Sequence, residues 1–192
     1  MKRTSWVAIR MAFITLLITG VVYPLAVSGV VSFAFPRQAA GSLIVIHGRV
    51  VGSKLIGQPF VSDRYFHPRP SSAGAGYDAG ASGASNLGPT SEALVSAVAS
   101  RVREVRRDEP GSKAGRVPVD LVTASASGLD PDISPDSAYL QVPRVAAARG
   151  LAAESVRRLV ARHVAGRQLG FIGEPRVNVL ELNLALDALS SQ

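Results

Sequence analysis

The chain has 192 residues, in which 21 Lys and Arg stand against 14 Asp and Glu, and it contains no Cys. The lack of Cys excludes disulfides, thiolate metal sites and a lipid-modified cysteine anchor. The basic residues are dispersed apart from two clusters in helical patterns, 101–107 and 157–167, where a solvated helix face is expected rather than a surface for nucleic acid.

A membrane-spanning helix is predicted near the N-terminus. Residues 1–10 form a basic head with Lys2, Arg3 and Arg10, and residues 11–35 carry no charge and include thirteen Leu, Ile, Val or Phe. A helix of that length extends about 37 Å, enough to cross a hydrocarbon core of ~30 Å. A cleaved signal peptide is the alternative, but its apolar region is only ~7–15 residues long. The sequence therefore predicts one transmembrane helix in contact with membrane lipid.

The charges on the two sides of this helix predict its orientation. Three basic residues precede it, whereas the first residues after it offer only Arg37 and Arg49. Positive charge is retained in the cytoplasm. We expect a cytoplasmic head at residues 1–10, a transmembrane helix at 11–35 and one extracytoplasmic soluble domain at 36–192, in the cell (inner or plasma) membrane.

Small residues recur at every fourth position of this helix: Gly20, Pro24, Ser28 and Ser32. Small residues allow a neighbouring membrane helix to approach closely, and Pro24 frees a carbonyl that such a helix could satisfy. Helix packing along this face is one interpretation. The other is that small residues are common in membrane helices and that Pro24 only kinks this one.

The first half of the soluble domain alternates strands and loops. Val- and Ile-rich stretches at 43–46 and 49–56 flank His47-Gly48, which predicts a hairpin. The predicted elements that follow are a Gly/Ala/Ser-rich loop at 71–89, a helix capped by Thr90 or Ser91 and ending near Asp108, a polar linker at 110–118, a short buried strand at 120–124 and turns at 125–135.

The second half is predominantly helical. Ser134-Pro135-Asp136 predicts a helix start, Pro143 a break and Gly150 the end of the second piece. Further predictions are a helix at 153–165, a short strand at 176–179 with Asn178 and Glu181 spaced as a capping pair, and a final helix at 179–189. The fold class is α+β: a single N-terminal transmembrane helix followed by one mixed α/β domain.

No pattern in the sequence predicts catalysis or a metal site. The three histidines, His47, His67 and His163, are far apart, and Ser125 and Ser127 have no nearby His to act as base. Asp130, Asp132 and Asp136 lack the glycine and glutamate of a calcium loop, so turn and helix-cap roles are expected for them. We therefore expect no catalytic residue and no metal ligand in this chain.

Several motifs resemble those of one family, the C subunits of bacterial Kdp potassium-transporting ATPases. The resemblance runs from the N-terminal anchor through Gly57-Gln58-Pro59-Phe60, Tyr65-Phe66, Pro68-Arg69-Pro70-Ser71, Ser82-Gly83-Ala84-Ser85-Asn86-Leu87-Gly88-Pro89, Pro118-Val119-Asp120-Leu121-Val122-Thr123-Ala124-Ser125, Ser127-Gly128-Leu129-Asp130-Pro131, Ile133-Ser134-Pro135, Pro143-Arg144-Val145-Ala146 and Gly173-Glu174-Pro175-Arg176-Val177-Asn178-Val179-Leu180. Ala84 and Ala126 stand where the family has glycine, which predicts backbone without positive φ there. Asp132 replaces a family histidine.

The resemblance implies an accessory, non-catalytic subunit of an ATP-driven potassium uptake complex. Its partners are a channel-like potassium-translocating subunit and a P-type ATPase subunit, and ATP, Mg²⁺ and K⁺ are handled by the complex. The family implies a role in assembly and as a catalytic chaperone that raises the ATPase subunit's affinity for nucleotide, with Ser82, Gly83, Ser85 and Asn86 as a nucleotide-binding segment. The alternative is a membrane-anchored exported binding module without a pump partner, which copurification in mild detergent would distinguish.

Overall fold

The computed structural model describes residues 2–112 and 115–190 and divides into two units, Met1–Leu43 and Ile44–Gln192. In the first unit, helix α1 (Lys2–Leu17), a π turn (Ile18–Val22) and helix α2 (Tyr23–Ala34) follow one another without interruption, and a short helix α3 (Pro36–Ala39) comes next. Over Arg3–Ala34 this helix is long and apolar enough to cross a membrane, and the described residues contain one such helix. The expectation of one long apolar helix near the N-terminus is confirmed, but this helix begins earlier than residue 11, within the basic head, and ends at Ala34.

The π turn is a consequence of Pro24. Proline has no N–H to donate to the carbonyl of Gly20, and its ring crowds that carbonyl. The chain adapts one turn earlier: the N–H of Tyr23 bonds the carbonyl of Ile18, five residues back. The helix therefore continues through Pro24 by widening locally, a common way to accommodate such a residue.

The predicted hairpin comes next in the chain and is formed by strands β1 (Leu43–Ile46) and β2 (Arg49–Ser53), all but Leu43 belonging to the second unit. Its two-residue turn has positive φ at both positions, 49° at His47 and 76° at Gly48. Such a turn matches the right-handed twist of paired strands. Strand β2 ends at Ser53, three residues before the predicted end.

A second, three-stranded antiparallel sheet lies beneath the C-terminal helices. Its strands are β3 (Asp132–Ile133), β4 (Val164–Ala165) and β5 (Arg176–Asn178), in the order β3-β5-β4, with Val177 opposite both Ile133 and Val164. Helices α5 (Pro135–Arg149), α6 (Ala153–His163) and α7 (Val179–Ser190) pack around it. The core consists of small aliphatic residues and one aromatic: Phe66, Ile133, Ala138, Val142, Val145, Ala146, Val156, Val160, Val177, Val179, Leu182 and Leu186. The α+β class is confirmed.

The capping residues in the sequence predicted most helix ends correctly. The Ser134 hydroxyl accepts a hydrogen bond from the N–H of Ser137, Gly150 ends α5 in the left-handed conformation, and Asn178 Oδ1 accepts from the N–H of Glu181. Helix α4 (Glu92–Asp108) follows Ser91 as predicted, although the Ser91 side chain makes no capping bond. Helix α6 stops at His163 because residues 164 and 165 pair with β5 instead.

Two predictions between residues 118 and 150 are wrong. Pro143 does not break α5, because it lies on the exposed side of the helix while Val142, Arg144 and Val145 beside it are buried. The predicted strand at 120–124 is instead a 3₁₀ turn (Val119–Leu121), and Pro110–Ser112 of the predicted linker is another. The linker's residues 113 and 114 lie outside the described residues.

The turn at 119–121 replaces a strand because of Asp120. Its buried carboxylate accepts hydrogen bonds from the N–H and hydroxyl of Ser134 and, at 2.6 Å, from the hydroxyl of Ser137. These donors belong to the N-terminus of α5, where negative charge is favourable. A partner fourteen or more residues away therefore determines the local conformation.

A loop segment, residues 63–67, called the strap here, packs on the C-terminal helices; it starts in a turn at Asp63 and Arg64, and Phe66 is fully buried. Asn183 of α7 both accepts from the N–H and donates to the carbonyl of Phe66, and Gln141 of α5 does the same for His67. Arg144 donates to the carbonyls of Asp63 and Tyr65 and pairs with Glu109 at 2.7 Å. Side chains thus supply the hydrogen bonds that a neighbouring strand would give.

We predict that Arg144→Ala lowers the free energy of unfolding by about 3–5 kcal/mol, because it leaves the Glu109 carboxylate buried without its cation. Denaturant unfolding followed by circular dichroism on the detergent-solubilised chain measures this. Arg107→Ala is the control, since it removes an exposed ion pair with Asp108 and should leave stability almost unchanged. Equal midpoints for the two variants would contradict the structural role of Arg144.

Candidate functional site

The motif segments that are separated in sequence meet on one surface of the second unit. This surface, called the loop face, consists of residues 68–71, 77, 82–83 and 125–130. Arg69 Nη1 donates to Asp130 Oδ2 at 2.9 Å, and Ser71 Oγ donates to the carbonyl of Gly128 at 2.7 Å. Most polar groups of these motifs therefore hold the loops to one another.

The loop at 71–89 has no helix or strand, as predicted, yet it is ordered by specific bonds. Ser71 Oγ accepts from the N–H groups of Ala73 and Tyr77, and the Tyr77 hydroxyl donates to the carbonyl of Arg69. Ala73 is fully buried. Burial raises the pKa of Tyr77 to about 12, so this phenol stays protonated and remains a donor at neutral pH.

Gly128 is the point of closest approach between the loops. Its φ is +67°, and a Cβ there would lie 2.6 Å from Ala73 N and 2.8 Å from Gly83 O. Both the conformation and the space require glycine. By contrast, Ala84 and Ala126 have no positive φ, as their identity predicted.

The four residues of the predicted nucleotide-binding segment divide into two pairs. Ser82 Oγ and the N–H of Gly83 both donate to the carbonyl of Ser127, at 3.0 and 2.9 Å, and so serve the loop face itself. Ser85 and Asn86 are exposed, and their side chains have no hydrogen-bond partner among residues 2–112 and 115–190. Asn86 adopts a φ of 52°. The side chains of Ser85 and Asn86 are therefore not engaged in holding the loop face together.

A groove of about 420 Å³ lies beside the loop face. Helix α4 lines one side with Arg101, Glu104 and Asp108, and residues 67–71 line the other. Arg101 is fixed in place by donating to the carbonyl of Val122. None of Ser82, Gly83, Ser85 or Asn86 is among the groove-lining residues, so the predicted segment and the groove are different places.

A half-buried imidazole, His67, and a buried carboxylate, Glu109, line the groove, and burial shifts their pKa values in opposite directions. Burial, and next the positive charge of Arg144, lower the pKa of His67, so the imidazole is neutral at pH 7. Its Nε2 lies 3.1 Å from the carbonyl of Ser62. Burial raises the pKa of Glu109, and Arg144 opposes this effect. The groove thus offers a neutral imidazole and a carboxylate already paired with a cation.

The hydroxyl groups of these motifs make hydrogen bonds within the loop face. The hydroxyls of Ser71 and Ser82 donate to backbone carbonyls, and Ser125 Oγ lies 3.4 Å from Ser127 Oγ. Among the described residues, no three His, Asp or Glu side chains converge as a metal site. Asp130 accepts from the N–H of Asp132, a turn role of the kind predicted for it, and Asp132 pairs with Arg176.

Sequence reasoning missed the residues that hold the strap. Gln141, Arg144 and Asn183 are buried. The Tyr65 hydroxyl donates to Asp187 of α7, which also pairs with Arg149. Polar residues at such spacings normally face solvent on amphipathic helices. The one signal was their position among apolar neighbours, such as Arg144 between Val142 and Val145.

Comparison with known proteins gives a consistent result. The family model "K⁺-transporting ATPase, c chain" matches residues 5–188. The chain is 62% identical over 176 residues to the potassium-transporting ATPase KdpC subunit of Gemmatimonas aurantiaca, covering 91% of this chain and 87% of that protein. It is 54% identical over 189 residues to the subunit of the same name from Mycobacterium tuberculosis, covering 98% of this chain and all of the relative.

The chain therefore belongs to the family of K⁺-transporting ATPase c chains, as the motif resemblance indicated. It is a subunit of a membrane-associated potassium-transport complex.

We predict that Gly128→Ala destabilises the loop face more than Gly150→Ala destabilises the end of α5. Both glycines have a φ of +67°, but a Cβ at Gly150 meets nothing within 4 Å. Gly150→Ala should cost about 1–2 kcal/mol of strain, and the clash at Gly128 should add about 1–3 kcal/mol. Denaturant midpoints and protease cleavage within 72–89 measure the difference, and equal values would contradict it.

Proposed function

We propose that this chain is an accessory, non-catalytic subunit that its complex needs for assembly. In this proposal a channel-like potassium-translocating subunit moves K⁺ and a P-type ATPase subunit hydrolyses ATP with Mg²⁺. The observation that carries the proposal is the extent of the family match, which includes both the anchor helix and the whole folded domain. The hydrogen bonding of the loop-face serines supports it, since their hydroxyls hold loops together.

The orientation of the chain limits how it can act on ATP. Lys2, Arg3 and Arg10 precede the apolar part of the helix, and only Arg37 and Arg49 follow it closely. The positive-inside rule then puts residues 36–192 outside the cytoplasm. A domain there acts as a catalytic chaperone only by coupling: it binds one state of the ATPase subunit better than another and so raises that subunit's affinity for nucleotide.

On this orientation, the exposed Ser85 and Asn86 would contact a partner subunit and not cytoplasmic ATP. Their side chains project from a loop that the bonds to Ser127 hold in place. Exposed polar groups on an ordered loop are suited to specific hydrogen bonds across a protein interface. The nucleotide role of the segment is then indirect.

The anchor helix supplies a second contact along Gly20, Pro24, Ser28 and Ser32. In a regular α-helix each four-residue step advances about 40° beyond a full turn, so four such residues would wind about 120° round the helix. The π turn at Ile18–Val22 takes more residues per turn and offsets part of this drift. It therefore brings Gly20 closer to the line of the other three residues, which supports packing of this face against a partner helix.

We predict that a cysteine introduced at the exposed residue Ala75 reacts with a membrane-impermeant thiol reagent in intact cells. The chain has no native Cys, so the signal has one origin. Ser5→Cys in the basic head is the matched control and should react only after permeabilisation. If Ala75→Cys also needed permeabilisation, the domain would be cytoplasmic, and direct contact with ATP would replace coupling.

We also predict that Gly20→Leu with Ser28→Leu leaves membrane insertion intact and lowers recovery of the assembled complex in mild detergent. Both changes add apolar surface, and the nearest atom to a Cβ on Gly20 is 3.8 Å away, so the helix itself tolerates them. Bulky side chains would hold a partner helix away.

The matched control is Leu17→Ala with Leu25→Ala, which lies outside the four-residue register and should disturb recovery less. Equal recovery of partners by both double variants would show that the helix is only a tether and that docking depends on the soluble domain. If no membrane subunits copurified with the unmodified chain, the result would instead favour a freestanding anchored binding module.

A further inference from the structure

The turn between β4 and β5 exposes apolar side chains in a fixed conformation. Residues 168–172, called the apolar turn here, are closed by two hydrogen bonds of 2.9 Å, in which Gln168 and Ile172 each donate to the other's carbonyl. Leu169 is 83% exposed and Phe171 73% exposed. The turn thus presents a large aliphatic and an aromatic side chain to solvent at its tip.

The backbone of the apolar turn is held in a conformation that leucine rarely adopts. Leu169 has a φ of 52°, followed by Gly170 at 83°. Backbone strain of this kind persists where the surroundings enforce it, and it concentrates at functional positions. Here the enforced conformation keeps Leu169 and Phe171 outside the core of their own domain.

Basic residues surround this turn in sequence. Helix α6 and the stem of the turn carry Arg157, Arg158, Arg162, Arg167 and Arg176, against Glu154 and Glu174 in the same stretch. Arg158 pairs with Glu154, Arg167 with Glu174, and Arg176 with Asp132, and Arg157 lies over the Tyr139 ring. Over residues 153–176 the sequence therefore carries more basic than acidic residues, with arginines on both sides of the apolar turn.

We infer that the apolar turn inserts into the interface of a bilayer containing anionic phospholipid. Interfacial membrane contacts typically combine apolar side chains such as Phe and Leu with Arg nearby in the sequence. The apolar groups enter the acyl boundary, and the cations bind anionic headgroups. The chain's own membrane helix supports this occupant. Only residues 35–43 join α2 to the second unit, and nine residues reach at most about 30 Å.

This contact does not depend on which side of the membrane holds the domain, because the same chemistry operates in either leaflet. It is also separate from the proposed contacts with partner subunits, which use the anchor and the loop face. A pocket on a partner protein is the competing occupant, and the test separates the two.

The test uses the full chain alone in lipid nanodiscs, with a nitroxide spin label on Leu169→Cys. We expect a several-fold higher ratio of collision with oxygen to collision with a water-soluble nickel chelate in nanodiscs that contain phosphatidylglycerol than in nanodiscs of phosphatidylcholine only. Val61→Cys, at an apolar residue that is 87% exposed in the same unit, is the matched control and should report an aqueous environment in both.

A second variant tests the mechanism at the same site. Phe171→Glu in the Leu169→Cys background should return the label to water, whereas Phe171→Leu should not. An aqueous Leu169→Cys label in both kinds of nanodisc would overturn the inference. Protection of the label that appears only after partner subunits are added would also overturn it, since the turn would then occupy a protein pocket.

Discussion

Much of the second unit depends on one requirement: where the strap is buried at Phe66 and half-buried at His67, its backbone must have hydrogen-bond partners. An unsatisfied buried amide or carbonyl costs about 1–3 kcal/mol, so a loop segment packed on helices is unfavourable unless the helices provide donors and acceptors. Gln141 and Asn183 do so as amides, each satisfying one N–H and one carbonyl. Arg144 completes the set through Nη1, while its Nε donates to Glu109 and its Nη2 to Gln141.

The loop face follows from the strap because the chain passes directly from one to the other. Once His67 is fixed by Gln141, Arg69 reaches Asp130 and Ser71 reaches Gly128. The loops at 71–89 and 125–130 thereby acquire an order that their Gly- and Ser-rich composition does not supply. A buried ion pair such as Arg144–Glu109 is weak evidence of stability. Here it links α5 with Glu109, which follows α4, and so fixes the end of the helix that lines one side of the groove.

The parts of this fold that could be predicted are those governed by neighbours in sequence. The His47-Gly48 turn, the cap at Ser134 and the left-handed end at Gly150 each depend on a few adjacent residues. The conformation at Asp120 was predicted wrongly because its hydrogen-bond partners, Ser134 and Ser137, are distant in sequence. The helix break predicted at Pro143 does not occur because the packing of its neighbours outweighs one lost hydrogen bond. Gln141 and Asn183, which hold the strap, gave only a weak signal, their position among apolar neighbours, since nothing in the local pattern identifies their distant partners.

A subunit that does not contact ATP can alter ATP hydrolysis only through a difference in its own contact free energy between two states of its partners. The subunit can transmit such a difference from one partner to another when its own structure is rigid. In a flexible domain, local rearrangement would remove the difference. The bonds from α5 and α7 to the strap, and from the strap onward to the loop face, tie exposed loops to a buried core. In the proposed complex, movement of a partner against Ser85 and Asn86 would therefore act on the domain as a body.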